Sequence, residues 1–259
     1  MSTRVALHHD RAGSGSPPLV FVAGWCCDAT SFEPQVAHFA ARHEVVVVEL
    51  RGCGRSETGD GYAVEDHADD VAALCRRLEL ERPLVAGHSL GGAVAVELAA
   101  RHPSVAAAIV ALDPAPIDPL PERRREWEDV AAAMAGPDGE AVRRAFVEEN
   151  VGRDGGELRL RIAEMMRSVP LPVALESFRG LLRWDGVEAL RRCAVPLLVL
   201  LAEPVGSNAP ARLLALKPDA LIGVTVGAGH FLQLEAPEQV NAMIEGFLRL
   251  EGLAAPTSA

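Results

Sequence analysis

Short apolar runs alternate with longer amphipathic stretches along most of this chain of 259 residues. A run that is apolar at every position is typical of a strand buried on both faces, and such strands form parallel sheets covered by helices. We therefore predict the α/β class, with a mostly parallel twisted sheet and helices on both faces. The predicted strands are residues 19–23, 45–50, 84–86, 107–112, 197–201 and 221–226, and the predicted helices lie near residues 31–42, 64–78, 91–101 and 237–250.

One segment interrupts this alternation. Residues 117–184, which we call the inserted segment, contain no strand-like run and are too long for a loop. We predict three or four short helices there, forming a lid or cap on a core domain of residues 1–116 and 185–259. Its apolar side chains either only pack against the core or, as a set, cover an apolar cavity. The substrate-binding residues that we predict among them are Trp127, Met134, Met165 and Trp184.

The charge of the chain limits its partners. The formal net charge is −11, whereas binding to nucleic acid or to an anionic membrane requires a basic face. We therefore expect no nucleic acid and no membrane partner, but a small-molecule substrate. Since the chain has neither an apolar run of about 20 residues nor the start of a signal peptide, the expected location is the cytoplasm. The sequence leaves the oligomeric state open, with a homodimer among the alternatives.

The cysteines indicate neither a disulfide framework nor a metal site. There are five, an odd number, and none are spaced as paired zinc ligands. Cys26 and Cys27 have no basic neighbour in sequence that would lower a thiol pKa, so we expect them to pack. Metal-ligand clusters and phosphate-binding glycine patterns are also missing from the sequence, and we therefore expect no metal and no cofactor.

The most specific motif is residues 87–92, which read Gly-His-Ser-Leu-Gly-Gly. They follow a predicted strand and open a predicted helix, the context of a nucleophile elbow. Glycines two residues before and after Ser89 leave room for the strand and the helix to close around a sharp turn. The hydroxyl then lies at a helix N-terminus, which favours developing negative charge. We predict that Ser89 is a catalytic nucleophile.

A serine hydroxyl needs a base, and the base needs an acid to orient it. Of the eight histidines, His230 follows the last predicted strand, at the sheet edge to which Ser89 also points. His88 is expected to pack or to hydrogen-bond beneath the turn instead. Two carboxylates, Asp113 and Glu203, each end a predicted strand between Ser89 and His230 in the chain. We favour Asp113 and keep Glu203 as the alternative acid, although Asp113 before a proline is also a common turn residue.

These residues and two further motifs resemble the α/β-hydrolase superfamily over residues 4–252. Residues 23–28, Ala-Gly-Trp-Cys-Cys-Asp, match the family's His-Gly-Trp loop, and residues 51–56, Arg-Gly-Cys-Gly-Arg-Ser, match its Arg-Gly-x-Gly-x-Ser turn. The resemblance implies the α/β-hydrolase fold. It also implies an oxyanion hole formed by the backbone N–H groups of Trp25 and Leu90.

The chain departs from the family pattern at two positions. Ala23 replaces the usual histidine, and the usual position of the acid falls on Val205, which cannot serve. Subgroups with the acid after the family's sixth strand place it near Asp113, 24 residues beyond Ser89. These subgroups include zearalenone-lactonase-like hydrolases, haloalkane dehalogenases and cofactor-free quinolone dioxygenases. Dehalogenase chemistry is excluded because its nucleophile is an aspartate.

The predicted activity is hydrolysis of a carboxylic ester or lactone of a small, largely apolar substrate through an acyl-enzyme. The sequence leaves open a carbon–carbon bond hydrolase with the same triad and a cofactor-independent enzyme of the dioxygenase type. A catalytically inactive binding protein of the same fold is the remaining alternative.

Overall fold

The computed structural model describes residues 4–150, 156–202 and 208–254. Within them, seven strands form one sheet in the order β1-β3-β2-β4-β5-β6-β7. Only β1 is antiparallel to its neighbour, which confirms the predicted mostly parallel α/β sheet. The strands are β1 (His9–Ala12), β2 (Leu19–Val22), β3 (Val45–Val48), β4 (Leu84–His88), β5 (Ala108–Leu112), β6 (Leu197–Leu201) and β7 (Leu221–Val224).

The helices lie between and after the strands, and a 3₁₀ turn at Ala29–Phe32 precedes the first. They are α1 (Glu33–Phe39), α2 (Val64–Arg77), α3 (Leu90–Arg101), α4 (Pro121–Met134), α5 (Gly139–Asn150), α6 (Glu157–Arg167), α7 (Leu171–Arg183), α8 (Gly186–Arg192), α9 (Pro210–Leu216), α10 (Leu232–Glu235) and α11 (Pro237–Leu250). The four predicted helices correspond to α1, α2, α3 and α11. Across the described residues, no helix is both long enough and apolar enough to cross a membrane.

The strands supply side chains to two apolar cores, one on each face of the sheet. Val20 and Val22 of β2 belong to the core that contains side chains of α2 and α3. Leu19 and Phe21 belong to the other core, with side chains of α1 and α11. Both faces of β2 are therefore covered, which explains why its sequence is apolar at every position.

The inserted segment is helical, as predicted. Helices α4–α7 fall within it, and no strand interrupts its described residues. Helix α4 contacts α5 and α7, α5 contacts α6, and α7 also contacts α2 of the core. The next helix, α8, packs against α3 and lies beyond the predicted boundary. A lid function of the inserted segment remains a proposal.

Candidate active site

Ser89 lies on the sharp turn between β4 and α3, with φ 52° and ψ −116°. This backbone conformation is unfavourable for a serine and must be held by its surroundings. The Ser89 N–H donates to the Leu112 carbonyl at 3.0 Å, which connects the turn to β5. The Ser89 carbonyl accepts hydrogen bonds from the N–H groups of Gly92, Ala93 and Ala115 at 2.9–3.1 Å. The turn is therefore fixed by bonds to β5, to α3 and to the loop after β5.

Two glycines allow the strand and the helix to approach this closely. A Cβ atom on Gly87 would lie 1.9 Å from the carbonyl oxygen of Gly91. A Cβ atom on Gly91 would lie 2.2 Å from the carbonyl oxygen of Val22, at the end of β2. Both obstacles are backbone atoms, one in α3 and one in β2, so no side-chain movement could relieve them.

His230 and Asp113 form a hydrogen-bonded pair at the carboxyl edge of the sheet. His230 Nδ1 donates to Asp113 Oδ2 at 2.6 Å. Because a carboxylate accepts only, Nδ1 carries the proton, and in the neutral ring Nε2 is left as the basic nitrogen. Asp113 directly follows β5, and its other oxygen accepts from the Ala202 N–H at 3.3 Å. This is the contact that the sequence led us to expect, whereas Glu203 and Val205 lie outside the described residues.

The backbone around His230 is fixed by Glu235, a residue that the sequence analysis missed. Its carboxylate accepts hydrogen bonds from the Gly229 N–H at 2.8 Å and the Phe231 N–H at 3.1 Å. The two amides that flank His230 are therefore both bound by one side chain of α10. An acidic residue shortly after a histidine in a glycine-containing loop is the only sequence signal for this role.

His88 supports the same loop from beneath, in agreement with its expected packing role. Its Nε2 donates to the His230 backbone carbonyl at 2.8 Å, and the two rings lie 4.7 Å apart. Burial lowers the pKa of His88 to about 3, so the ring is neutral near pH 7. Within the described part of the chain, His88 Nδ1 has no hydrogen-bond partner. The ring faces Gly24 on the loop after β2, where an added Cβ would lie 2.9 Å from Nδ1.

Ser89, His230 and Asp113 line a single cavity of about 1240 Å³. No hydrogen bond between described residues joins the Ser89 hydroxyl to His230. Such contacts are often long without substrate and tighten when it binds. The inserted segment also lines this cavity, with charged side chains and with the apolar side chains of Trp127, Val130, Phe146, Val147, Met166, Phe178 and Leu181.

Of the four predicted substrate-binding residues, Trp127 lines this cavity. Among the described lining residues, Met134, Met165 and Trp184 do not occur, and their prediction is corrected. Trp184 is buried against the core, where its indole N–H donates to the Glu97 carboxylate at 2.8 Å. Met134 is buried, and the Met165 sulfur lies 3.8 Å from the Thr30 hydroxyl. Phe146 and Phe178 take their place, because packing decides which apolar side chains of an amphipathic helix face the cavity.

Trp25 and Leu90, the predicted oxyanion donors, lie after β2 and at the start of α3. Leu90 is the first residue of α3, so its N–H has no partner within that helix. Trp25 follows β2, the parallel neighbour of β4, and its side chain lines the cavity. Their role as donors remains a proposal.

The Arg-Gly-x-Gly-x-Ser turn of residues 51–56 is joined to the loop after β2 rather than to the cavity. The buried carboxylate of Glu49 accepts from the Arg55 N–H at 2.6 Å and from the Ala29 N–H at 3.2 Å. The Ser56 hydroxyl donates to the Glu49 carbonyl at 2.7 Å. Glu49 thus joins this turn to the chain that follows Trp25.

The cysteines near the site are not activated thiols. Burial raises the pKa of the Cys26 and Cys27 thiols well above their usual range, so both stay protonated near neutral pH. Cys27 also lines the cavity, where its sulfur donates weakly to the Trp25 carbonyl at 3.4 Å. Among the described residues, no three His, Cys, Asp or Glu side chains are grouped to hold a metal ion.

Comparison with known proteins gives a consistent result over nearly the whole chain. The model of the "Alpha/beta hydrolase family" matches residues 19–243. A 2-(acetamidomethylene)succinate hydrolase of Mesorhizobium japonicum is 30% identical over 95% of this chain and 92% of its own length. A thermophilic esterase from Thermogutta terrifontis is 26% identical, with a TM-score of 0.82 over 95% of this chain and 94% of the esterase. An N-acyl homoserine lactone degrading enzyme is also 26% identical, with a TM-score of 0.79 over 94% of this chain and 97% of that enzyme.

Proposed function

This chain belongs to the alpha/beta hydrolase family, and on that premise we propose that it is a serine hydrolase that cleaves a carboxylic ester or lactone of a small, largely apolar molecule. The observation that carries the proposal is the 2.6 Å hydrogen bond from His230 Nδ1 to Asp113, at the cavity that Ser89 also lines. The bond leaves Nε2 free to accept a proton at the same cavity.

In the proposed first step, His230 Nε2 takes the proton of the Ser89 hydroxyl as the oxygen attacks the substrate carbonyl. The backbone N–H groups of Trp25 and Leu90 stabilise the resulting oxyanion. The imidazolium then gives its proton to the departing alkoxide, and the acyl group stays on Ser89. Asp113 holds the ring in place and stabilises its positive charge without taking a proton.

In the second step, water replaces the alcohol. His230 takes a proton from the water as its oxygen attacks the acyl carbonyl. The proton then passes to Ser89 as the carboxylic acid leaves. In a lactone, the alcohol and the acid are parts of one molecule, so the product is a single hydroxy acid.

An ester or lactone is favoured for two reasons. Seven apolar side chains of the inserted segment line the same cavity as Ser89, and they can bury the apolar part of a neutral substrate. Two of the similar solved structures are of an esterase and of a lactone-degrading enzyme.

Two experiments test the proposal: the hydrolysis rates of a panel of simple esters and lactones, and covalent labelling with a fluorophosphonate probe. We expect turnover by the parent protein and probe attached at Ser89, located by mass spectrometry. Ser89→Ala and His230→Ala should each lower kcat by several orders of magnitude while thermal unfolding stays cooperative, and their effects should not add. If Ser89→Ala kept more than a tenth of the parent rate, the nucleophile would be wrong, and a carbanion mechanism of the dioxygenase type would gain support. Turnover of vinylogous diketones with no ester turnover would instead favour carbon–carbon bond cleavage.

A further inference from the structure

Aromatic residues are scarce in this chain, which has three tryptophans, one tyrosine and seven phenylalanines. Among the described residues, five of them line the cavity, and four of these five are joined by ring contacts. We call Trp25, Trp127, Phe146 and Phe178 the aromatic wall. The ring centroid of Phe178 lies 5.6 Å from Trp25, 5.4 Å from Trp127 and 5.3 Å from Phe146. These separations fall in the range of favourable aromatic contacts.

The four rings come from distant parts of the sequence. Trp25 follows β2, while Trp127, Phe146 and Phe178 belong to α4, α5 and α7. The wall begins beside the reacting centre, because the backbone N–H of Trp25 is itself a proposed oxyanion donor. All four rings line the same cavity as Ser89, so a substrate group in contact with them would share that cavity with the carbonyl attacked by Ser89.

Part of the aromatic wall is accessible without any movement of the chain. Trp25 and Phe178 are nearly buried, at 7% and 3% exposure, whereas Trp127 and Phe146 are half-buried. The accessible rings could therefore be covered by a bound group, and the two buried rings hold them in position. A flat ring in contact with this wall gains both apolar burial and edge-to-face or offset-stacked contacts.

The charged side chains of the cavity do not favour one kind of substrate as the aromatic wall does. Among its described lining residues, Arg123 and Arg159 are accompanied by Glu126, Glu148 and Glu149. Arg123 is paired with Glu126 at 2.9 Å, and Arg159 donates to the Glu148 carbonyl at 3.2 Å. The cavity thus presents both signs of charge, without an excess of cations for an anionic group.

We infer that the aromatic wall is a binding site for an aromatic ring of the substrate, attached close to the scissile ester or lactone. This inference rests on the proposed function for the position of the ester, but not for the binding of the ring. The substrate class is a neutral aryl or arylalkyl ester. A saturated ring of equal size should bind less well, because it buries a similar area but lacks the aromatic quadrupole.

The kinetic test uses esters that differ only in the aromaticity of one ring. Methyl phenylacetate is compared with methyl cyclohexylacetate, and benzyl acetate with cyclohexylmethyl acetate. We expect kcat/KM to favour the phenyl compound by about two- to tenfold in at least one pair, which is the range of measured aromatic pair energies. Trp127→Leu and Phe146→Leu should bring that ratio close to one. Trp184→Leu is the matched control, since it removes a tryptophan of the same inserted segment outside the cavity lining, and it should keep the parent ratio.

A binding test separates this inference from the proposed function. The Ser89→Ala protein is titrated with methyl phenylacetate and methyl cyclohexylacetate by calorimetry, with and without Trp127→Leu, after circular dichroism has established folding. Tighter binding of the phenyl ester, lost in the Trp127→Leu background, supports the aromatic site even if the parent protein hydrolyses no ester. Equal binding of the two esters, or none up to their solubility, would overturn it even if the parent protein is an active esterase. A kinetic ratio near one in both pairs would overturn it as well.

Discussion

The indole N–H of Trp25 donates a 2.8 Å hydrogen bond to the backbone carbonyl of Ala174. Trp25 lies on the loop after β2, and Ala174 lies in α7 of the inserted segment. The bond is buried, and the Trp25 ring also contacts Phe146 and Phe178. One side chain therefore joins the proposed oxyanion loop to helices that line the cavity, so a shift of α7 would be transmitted to the Trp25 backbone.

Trp25→Phe tests this connection. The ring contacts can persist, but the hydrogen bond is lost, and the proposed oxyanion donor is held less firmly. Complete loss of an oxyanion donor costs about 10²–10³-fold in kcat, and we expect a smaller loss here, of about tenfold, with little change in KM. The measurement is steady-state kinetics on an ester that the parent protein turns over.

The matched control is Trp184→Phe, which removes the bond to Glu97 of α3, and Trp184 is not among the described residues that line the cavity with Ser89. It should lower the melting temperature and leave kcat within about twofold of the parent value, since a hydrogen bond to a charged group contributes about 1.5–3 kcal/mol to stability and this one does not act in catalysis. Equal losses of kcat in both variants would point to general destabilisation and contradict the connection.

Asp113→Asn should lower kcat by roughly 10²–10⁴-fold without unfolding the protein. The amide that replaces the carboxylate can donate to Nδ1, which would leave the proton on Nε2, where it blocks base catalysis. Glu203→Gln is the control of the same chemistry, and we expect a loss of about tenfold or less. The measurement is kcat of both variants on one substrate. A larger loss of kcat in Glu203→Gln than in Asp113→Asn would assign the role of the acid to Glu203.

Two buried histidines should make the fold sensitive to acid. Burial lowers the pKa of both His67 and His88 to about 3, against an ordinary value of 6.5. Both are neutral in the folded protein and take up a proton on unfolding below pH 6.5, so stability is lost as the pH falls from 6.5 towards 3. In that window each histidine lowers the free energy of unfolding by about 1.4 kcal/mol per pH unit, which amounts to about 2 kcal/mol at pH 5.

His67→Leu isolates one of these contributions. Neither ring nitrogen of His67 has a hydrogen-bond partner among the described residues, so leucine removes no such bond. Urea unfolding at pH 7 and pH 5 should show a loss of unfolding free energy that is about 2 kcal/mol smaller in the variant than in the parent. The same loss in both proteins would mean that His67 does not titrate on unfolding.

Gly91→Ala should strongly destabilise the fold, because its Cβ would meet the Val22 carbonyl oxygen at 2.2 Å and push α3 away from β2. Gly246→Ala, inside α11, is the matched control, since an added Cβ there has only a distal arginine nitrogen at 3.9 Å. Alanine should stabilise that helix by about 0.5–1 kcal/mol. The melting temperature should therefore fall in Gly91→Ala and rise in Gly246→Ala. A Gly91→Ala protein as stable as the parent would show that the turn at Ser89 tolerates a wider separation of α3 and β2.

Much of the fold could be predicted because its signals are local. A strand covered on both faces is apolar throughout, so β2 to β6 are visible as runs. Strand β7 is also an apolar run, although its residues are half-buried or exposed. Strand β1 was missed because it lies at the sheet edge, paired on one side only, and its exposed sequence His-Asp-Arg-Ala has no apolar pattern. Helix α11 begins and ends where its periodicity predicts.

The catalytic candidates were predictable for a similar reason. The glycines around Ser89 follow from the geometry of one turn. Parallel strands bring the residues after β5 and β7 to the same sheet edge, where Asp113 and His230 are joined by a hydrogen bond. By itself, the sequence thus determined the fold class, the turn and the candidate triad, because each depends on local spacing or on strand direction. Only the tertiary structure decided that Phe146 and Phe178, rather than Met134 and Trp184, face the cavity, and that Glu235 and His88 hold the His230 loop. These roles depend on how each helix is rotated and on which distant part of the chain it packs against. The sequence does not reveal this, because a side chain is equally apolar or polar whichever neighbour it contacts.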